Sequence, residues 1–287
     1  DGTASTDVDR TGTDEPDALG RTRRKYCYNI LVSGLDDDNG GSDTNILVRF
    51  DVPNKRIDLV SLPRDTLLHN EYRNNKLNFA YAKGGTELLM EQIENLLGIP
   101  VDFYVTVNLK GFIALVDQID GVDFDIPINM DYDDPYQDLH IHFTKGPRHL
   151  NGQEAMEVVR FRHNNDGTGY GTEDIGRIGT QQAFLKAVAK QLLQIGNVKN
   201  IPALVDIFYT YVKTDLTTGN LVWLGNEALN IGTENIHFAT LPGDGSGYYN
   251  KQSVYVLDAQ ATCDLVNEAL NPYNEALTLE DMDILVP

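Results

Sequence analysis

The fold is predicted by residues 26–66, YCYNILVSGLDDDNGGSDTNILVRFDVPNKRIDLVSLPRDT, which contain three strand-like runs in succession. The first run, 26–36, alternates and then becomes continuously apolar, which is typical of a buried strand. Residues 44–66 indicate two further strands joined by the turn Val-Pro-Asn-Lys. Pro-Arg-Asp at 63–65 ends the last of them in a loop. The stretch therefore predicts three strands of a central β-sheet.

Strands and helices alternate along the rest of the chain, and nothing between them has the composition of a linker. Apolar periodicity and Gly, Pro and Asp signals predict a helix at 76–97, a strand at 101–109, a helix at 110–120, a strand at 121–127, an acidic loop at 129–138, a helix-loop-helix at 151–193, helices at 200–213 and 217–230, a strand at 236–243, a Gly/Tyr loop at 243–250 and a helix at 256–270. This order indicates one α/β domain over residues 26–287, with helices covering a central sheet.

The composition excludes two classes of protein. The 287-residue chain has a formal net charge of -20 and no basic stripe, which argues against nucleic-acid binding. No run approaches the roughly 18 apolar residues that a membrane span requires. Residues 1–25 are polar and rich in Thr, Asp and Gly, so they predict a disordered linker. Cys27 and Cys263 are far apart, which leaves both a disulfide and two buried thiols open.

Cations are concentrated between Asn151 and Gln182, which is unusual in so acidic a chain. Guanidinium groups present a planar fork of donors that matches phosphate or carboxylate oxygens. The candidate ligands of an anion are Arg160, Arg162, His163, Arg177 and Gln181. Arg160 and Arg162 share a face only if their segment is extended, whereas in a helix they diverge. In the alternative interpretation, one arginine faces solvent and His163 caps the helix.

A second polar group is predicted at the ends of the first strands. Asp36, Asp37, Asp38 and Asp43 lie on a Gly-rich loop after a strand, where carboxylates can hold Mg²⁺. A solvent-exposed turn explains them equally well, because Asp and Gly form turns. Arg64 and Asp65 follow another strand, at the edge where α/β sheets place their ligands, and the alternative is a surface ion pair.

Several familiar catalytic templates are missing from the sequence. There is no P-loop, no G-x-S-x-G and no H-E-x-x-H motif, and no Ser, Cys or Lys is an obvious activated nucleophile. His140 and His142 are two residues apart after the acidic loop, and a zinc pair is the less favoured interpretation of them. The chemistry indicated is acid/base catalysis with electrostatic clamping of an anion.

The ordered motifs resemble those of the LytR-CpsA-Psr family of bacterial cell-envelope proteins. The resemblance covers roughly residues 26–260. The matching motifs are NILVSGLD at 29–36, SDT at 42–44, LVSLPRDT at 59–66, KLNFAYAKGG at 76–85, LLGIPVDFYVTVNLKGF at 96–112, GVDFDIP at 121–127, LHIHFTKGPRHLNGQEAMEVVRFRH at 139–163, GRI and QQ within 176–182, and LPG at 241–243.

The resemblance implies a Mg²⁺-dependent phosphotransferase on the outer face of the cytoplasmic membrane. Such an enzyme takes a polyprenyl-pyrophosphate-linked glycopolymer, such as teichoic acid or capsule, and attaches it to peptidoglycan through a phosphodiester. The implied fold is a three-layer α/β/α sandwich around a central mixed β-sheet. The resemblance also implies an N-terminal membrane anchor that this sequence lacks, with residues 1–25 as the juxtamembrane linker. The alternatives are a polyprenyl-phosphate or polysaccharide-binding module and a polyprenyl-pyrophosphate hydrolase.

The family motifs also imply roles for individual residues. Asp36 and Asp43 match metal-linked acidic positions. Independently of the motifs, a carboxylate such as Asp43 or Asp65 is a candidate general base for the attacking sugar hydroxyl. The residues implied in pyrophosphate contact and catalysis are Arg64, Arg160, Arg162 and Arg177, with Asp65, His163 and Gln181 binding substrate. One position departs from the pattern: Thr180 stands where the family often has a second arginine before the Gln-Gln pair.

Overall fold

The structure is a computed structural model that describes residues 16–35, 41–72, 74–136, 138–170, 173–194, 206 and 208–287. The chain divides into two compact units. Unit 1 comprises Asp1–Val107 and Lys213–Pro287, and unit 2 comprises Asn108–Val212. The single domain predicted over residues 26–287 stays a prediction. Within the described residues, no helix combines the length and the hydrophobicity needed to cross a membrane.

Twelve strands and six helices are named here in chain order. The strands are β1 (Cys27–Leu35), β2 (Ser42–Asp51), β3 (Arg56–Leu62), β4 (Phe103–Val107), β5 (Val122–Ile126), β6 (Met130–Asp134), β7 (Leu139–Phe143), β8 (Gly146–Leu150), β9 (Val212–Thr214), β10 (Ile236–Thr240), β11 (Gly243–Tyr249) and β12 (Gln252–Leu257). The helices are α1 (Leu77–Leu97), α2 (Leu109–Gln118), α3 (Gly152–Arg160), α4 (Glu173–Gln194), α5 (Thr218–Ile231) and α6 (Ala259–Ala269), and short 3-10 turns occur at Thr233–Asn235 and Leu279–Asp281.

Unit 1 is built on a six-stranded mixed sheet in the order β10-β3-β2-β1-β4-β9. Strand β2 is antiparallel to both β1 and β3, while β4 is parallel to β1 and β10 is parallel to β3. The three strands predicted from residues 26–66 are therefore confirmed, and they form the middle of the sheet. The turn at 52–55 joins β2 to β3, as the Val-Pro-Asn-Lys signal predicts.

Helices cover both faces of this sheet. Leu31 and Leu47 pack with the apolar faces of α1 and α6, whereas Ile30 packs with Leu221 and Trp223 of α5 on the other face. Neighbouring residues point to opposite faces because side chains alternate along a strand. Complete burial of a Leu or Ile side chain stabilises the fold by about 1.5–3 kcal/mol. The predicted three-layer α/β/α sandwich around a mixed sheet is confirmed in this unit.

Unit 2 has its own apolar core between two small antiparallel sheets and its helices. Strands β5 and β8 form one sheet, and β6 and β7 form the other. Phe124, Ile141, Val158, Phe161 and Phe184 contribute to the core, and each is 6% exposed or less.

The loop predicted at 129–138 is wrong over half of its length, because Met130–Asp134 is strand β6. Met130 is buried and Tyr132 half-buried against the core, while Asp131 and Asp133 alternate with them. Alternation with a period of two is typical of a strand. The three aspartates of this segment favour a turn, and for that reason the strand was not predicted. Backbone pairing to β7 completes the strand.

The Gly/Tyr loop predicted at 243–250 is also a strand, because Gly243–Tyr249 pairs with β12 as an antiparallel hairpin. Asn250 and Lys251 turn the chain with φ angles of 47° and 64°, the left-handed conformation that two-residue hairpin turns need. The helix predicted to start at Val256 starts at Ala259 instead, where the Asp258 side chain accepts a hydrogen bond from the amide of Ala261. Half of the helix predicted at 200–213 lies outside the described residues, and its last two positions, Val212 and Lys213, belong to strand β9 instead.

The end of the predicted linker packs on unit 1. Residues 1–15 lie outside the described part of the chain, but Arg23 contacts Asp102 at 2.6 Å and Arg24 contacts Asp51 at 2.7 Å. The hydroxyl of Thr22 donates to Glu275 at 2.8 Å. Thr22, Arg23 and Arg24 are therefore part of folded unit 1. The buried carboxylates of Asp102 and Asp51 are specific partners of the two arginine side chains.

Both cysteines are free and buried, so the two-thiol alternative is confirmed and the disulfide is not formed. Burial raises the pKa of Cys27 to about 11. Because the thiolate is the reactive form, we expect Cys27 to resist alkylation by iodoacetamide at pH 8 in the native protein. A pKa raised by two units lowers the thiolate fraction of Cys27 about 100-fold. The labelling rate of the protein unfolded in guanidinium, measured by mass spectrometry, provides the reference. Rapid native labelling of Cys27 would contradict this.

Candidate functional site

A cluster of four charged side chains lies at the end of β3 in unit 1. Arg64 Nη1 donates to Asp43 Oδ1 at 2.5 Å, and Arg64 Nε lies 3.6 Å from Asp65 Oδ1. Lys76 Nζ lies 3.2 Å from Asp65 Oδ2. All four side chains are between 19% and 31% exposed. The cluster therefore holds two cations and two carboxylates within reach of a ligand from solvent.

The strand register brings Asp43 and Arg64 together. Asn45 pairs with Leu62 in the antiparallel β2–β3 ladder, so the residue two before Asn45 faces the residue two after Leu62. The turn after β3 is held by Thr66, whose amide and hydroxyl both donate to the carbonyl of Pro63. The carbonyl of Arg64 accepts from the amide of Asn78 in α1. Pairing and turn together hold the backbone of Arg64 in place.

Lys76 is the member of this cluster that the sequence analysis missed as a site residue. It occupies the N-cap position of α1, where its side chain makes no capping hydrogen bond. Serine, threonine, asparagine and aspartate are the usual residues at that position, because their oxygens accept from the first helical amides. A lysine at the first position of the predicted helix 76–97 was the available signal.

The Asp43 carboxylate fits a role as a Mg²⁺ ligand, whereas Asp36 lies outside the described residues. The contact of Asp43 with Arg64 involves the Oδ1 oxygen of Asp43. A carboxylate has two oxygens with several lone-pair sites. Mg²⁺ commonly binds one or two carboxylates together with substrate phosphates and water. Asp43 is also 31% exposed, so a hydrated cation can reach it.

In unit 2, the segment of Arg160 and Arg162 leaves its helix between the two arginines. Helix α3 ends at Arg160, and its C-cap Phe161 has φ -59° and ψ 134°, an extended conformation. Phe161 is 1% exposed and stacks edge-on against Tyr170 at 5.6 Å. Arg160 and Arg162 are both half-buried. The buried Phe161 thus anchors the backbone between two arginines, and the continuous-helix alternative is wrong.

His163 does not cap α3, because Phe161 does. The His163 ring packs edge-on against Tyr132 of β6 at 5.6 Å, and its backbone bridges to Gly169. Its Nδ1 lies 3.0 Å from the carbonyl oxygen of Asn164. These contacts give His163 a position at the base of the following loop, and its predicted role in substrate binding stays a prediction.

Arg177 and Gln181 lie one turn apart on α4, as their i, i+4 spacing predicts. Arg177 is 5% exposed. The Gln181 side-chain amide donates to the carbonyl of Val159 at 3.2 Å. Gln181 therefore ties α4 to the last turn of α3, next to Arg160.

Thr180, the departure from the family pattern, has a structural role. It is 5% exposed, and its hydroxyl lies 2.6 Å from the phenol oxygen of Tyr170. Burial raises the pKa of Tyr170, so its phenol stays protonated and able to donate. A Cβ on Gly176 would lie 2.3 Å from the Cβ of Tyr170, so only glycine permits this approach. Tyr170 thus packs against α4 at two positions.

Asn164 and Asn165 are two further residues that the sequence analysis missed. Their side-chain oxygens accept from the amides of Asp131 at 2.7 Å and Asp133 at 2.6 Å. The Asn165 amide nitrogen also donates to the carbonyl of Asp133. The loop after His163 is therefore fastened along the outer edge of β6. An Asn-Asn pair after a helix signals a turn, but its partner strand was not predicted.

Comparisons with a family model and with individual relatives all assign the chain to the same protein family. The model of the LytR_cpsA_psr family matches residues 2–271. The chain is 32% identical over 252 residues to the polyisoprenyl-teichoic acid–peptidoglycan teichoic acid transferase TagV of Bacillus subtilis, with 83% of the chain and 62% of that protein covered. It is 31% identical over 267 residues to TagU of Bacillus cereus, a transferase of the same description, with 91% of the chain and 83% of that protein covered.

The fold agrees with a solved structure. The crystal structure of B. subtilis TagV superposes with a TM-score of 0.73 at 27% identity, covering 92% of this chain and all of that one. The chain spans less than two thirds of the full length of TagV, the first of the curated relatives above.

Proposed function

Because the chain belongs to the LytR_cpsA_psr family, we propose that it is a phosphotransferase that attaches a polyprenyl-pyrophosphate-linked anionic glycopolymer to peptidoglycan. Teichoic acid is the polymer named for the relatives TagV and TagU. The proposal includes a site of action on the outer face of the cytoplasmic membrane and an N-terminal anchor. The observation that carries it is the family match together with the Asp43–Arg64–Asp65–Lys76 cluster at the strand end.

The charges of the cluster suit the chemistry of phosphoryl transfer. A pyrophosphate brings at least two negative charges to a chain of net charge -20, so long-range attraction does not draw it in. Local cations must provide the binding, and Arg64 and Lys76 present a planar fork and a point charge side by side. In such reactions the protein mainly positions the reactants and stabilises charge.

The proposed reaction is a single displacement at phosphorus. The oxygen of an acceptor sugar hydroxyl bonds to the phosphorus next to the glycopolymer, and the bond from that phosphorus to the bridging oxygen breaks. Polyprenyl phosphate leaves, and the hydroxyl proton passes to a carboxylate. Asp43 and Asp65 are the candidate bases. Asp65 lies near both Arg64 and Lys76, which hold it in place. A Mg²⁺ ion at Asp43 would neutralise phosphate charge.

Within unit 2, Arg160, Arg162 and Arg177 are proposed as ligands of a phosphate group. Arg160 and Arg162 flank a buried anchor, and Gln181 holds the helix turn that carries Arg160. Such a fixed backbone lowers the entropy that each side chain loses when it binds.

Release of polyprenyl phosphate from a lipid-linked donor tests the proposed function. Purified protein is incubated with a synthetic polyprenyl-pyrophosphate glycopolymer, Mg²⁺ and peptidoglycan, and the products are analysed by mass spectrometry. We expect Mg²⁺-dependent release together with polymer joined to peptidoglycan. Equal release without peptidoglycan would identify a hydrolase. Binding without release would identify a non-catalytic binding module.

Replacing Arg177 by alanine is expected to weaken binding of a short prenyl pyrophosphate by about 1.5–3 kcal/mol, the range for a hydrogen bond to a charged group. Isothermal titration calorimetry measures the change. Arg148→Ala is the matched control, since Arg148 forms an exposed ion pair with Glu154 at 2.6 Å on the same unit. Because Arg177 is buried, thermal melting of both variants checks the fold. Unchanged affinity in folded Arg177→Ala would show that this arginine is structural.

A further inference from the structure

The exposed face of the β6–β7 hairpin carries two histidines and two aspartates in a cross-strand ladder. Asp131 pairs with His142, and Asp133 pairs with His140. Side chains of residues two apart lie on the same face of a strand, so all four project from one surface. Tyr132 and Ile141 project from the other surface and pack in the core of unit 2. The hairpin thus has an apolar inner face and a ligand-bearing outer face.

The side chains of Asp133, His140 and His142 converge on one point. One ligand atom from each lies within 4.8 Å of the others. His140 Nδ1 lies 2.5 Å and His142 Nε2 lies 3.3 Å from the same oxygen, Asp133 Oδ1. Two ligands of a tetrahedral Zn²⁺ lie about 3.3 Å apart when each bond is about 2.0–2.1 Å. The His142–Asp133 distance already matches this, and the His140 pair must open by about 1 Å.

We propose that Asp133, His140 and His142, none of which is assigned to phosphotransfer, form a binding site for a divalent first-row transition cation such as Zn²⁺. Two imidazoles and one carboxylate suit such a cation, whereas Mg²⁺ prefers oxygen ligands. Three protein ligands on an exposed surface leave positions for water or for an external ligand.

The second nitrogen of each imidazole also has a carboxylate neighbour. His142 Nδ1 lies 2.8 Å from Asp131 Oδ1, and His140 Nε2 lies 3.6 Å from Asp138 Oδ1. A metal-bound histidine commonly donates its other N–H to a carboxylate, which fixes the ring and makes it a better ligand. Asp131 is in place for that role, and Asp138, which lies beyond hydrogen-bond distance, adds negative charge near His140.

The backbone beneath the ladder is held on both edges. Strand β7 pairs with one edge of β6, and the side chains of Asn164 and Asn165 accept from the Asp131 and Asp133 amides on the other edge. Ligands on such a braced strand need little rearrangement to bind, which distinguishes this ladder from a solvent-exposed acidic loop.

Titration of the full chain with Zn²⁺, in buffer containing excess Mg²⁺ and without a polyhistidine tag, tests the proposal. Calorimetry is expected to show one Zn²⁺ per chain that Mg²⁺ does not displace. His142→Ala and Asp133→Asn are each expected to weaken binding at least 10-fold, and Asp131→Asn about 10-fold, as for an outer-shell partner.

His149→Ala provides the matched control. His149 Nδ1 lies 2.8 Å from Asp123 Oδ1, and its side chain is 55% exposed, as is that of His142. It is therefore an exposed His–Asp pair on the same unit that belongs to no three-residue group in the described residues. We expect His149→Ala to bind Zn²⁺ within about twofold of the parent protein. The proposal is overturned if wild-type protein shows no saturable Zn²⁺ binding, or if folded His142→Ala binds as tightly as His149→Ala.

Discussion

The Arg64→Ala variant is expected to transfer glycopolymer about 10²–10³-fold more slowly than the parent protein, the loss typical of one preorganised donor to a developing anion. Arg64 has the geometry for this role. Its guanidinium contacts Asp43 on one side and approaches Asp65 on the other, and it is 27% exposed. Removal leaves Lys76 as the remaining cation of the cluster, and Lys76 lacks the planar fork that matches two phosphate oxygens.

The measurement for Arg64 is the initial rate of polyprenyl phosphate release under saturating donor. Arg64→Lys is expected to recover part of the lost rate, because it restores charge without the bidentate geometry. Arg148→Ala, which removes an exposed arginine from a surface pair, serves as the control and is expected to keep the parent rate. A parent-like rate in Arg64→Ala would remove this arginine from the proposed mechanism.

The Asp58→Ala variant is expected to lose about 3–5 kcal/mol of unfolding free energy, the cost of breaking a buried ion pair by removing one partner. Arg49 and Asp58 are directly opposed in the β2–β3 ladder, and their side chains are only 4% and 2% exposed. Arg49 Nη2 lies 2.7 Å from Asp58 Oδ2. Without Asp58, a guanidinium would remain in the protein interior without its carboxylate partner.

Denaturant unfolding followed by Trp223 fluorescence measures this loss in unit 1. Trp223 is the only tryptophan of the chain and packs edge-on against Tyr28 of β1 at 5.9 Å. The double replacement Arg49→Met with Asp58→Leu removes both buried charges, while Arg56, the second arginine at Asp58, keeps its contact with Glu268. It is expected to recover much of the stability. Arg148→Ala should change it by less than about 1 kcal/mol, as a surface pair. If Asp58→Ala lowers the unfolding free energy by less than about 1 kcal/mol, another group must accept hydrogen bonds from Arg49 in place of Asp58.

Local pattern was sufficient for the first strands and the first helix of unit 1. The strands at 26–66 and the helix at 76–97 follow from periodicity and end signals, which depend only on neighbouring residues. Six of the named strands were not predicted, namely β6, β7, β8, β9, β11 and β12, and two of these, β6 and β11, are rich in Asp and Gly. Those residues favour turns in isolation, and pairing with β7 and β12 overrides that preference.

For the candidate site, the sequence by itself determined the chemical inventory and the family, because residue types and ordered motifs are properties of the chain alone. The tertiary structure decided which side chains meet. The β2–β3 register places Asp43 against Arg64, and the start of α1 brings Lys76 to Asp65. In α4, the Thr180 hydroxyl lies at hydrogen-bond distance from the phenol of Tyr170. Such pairings are non-local. A shift of one residue in register would move every side chain of a strand to the other face, and burial of the whole sheet selects the register.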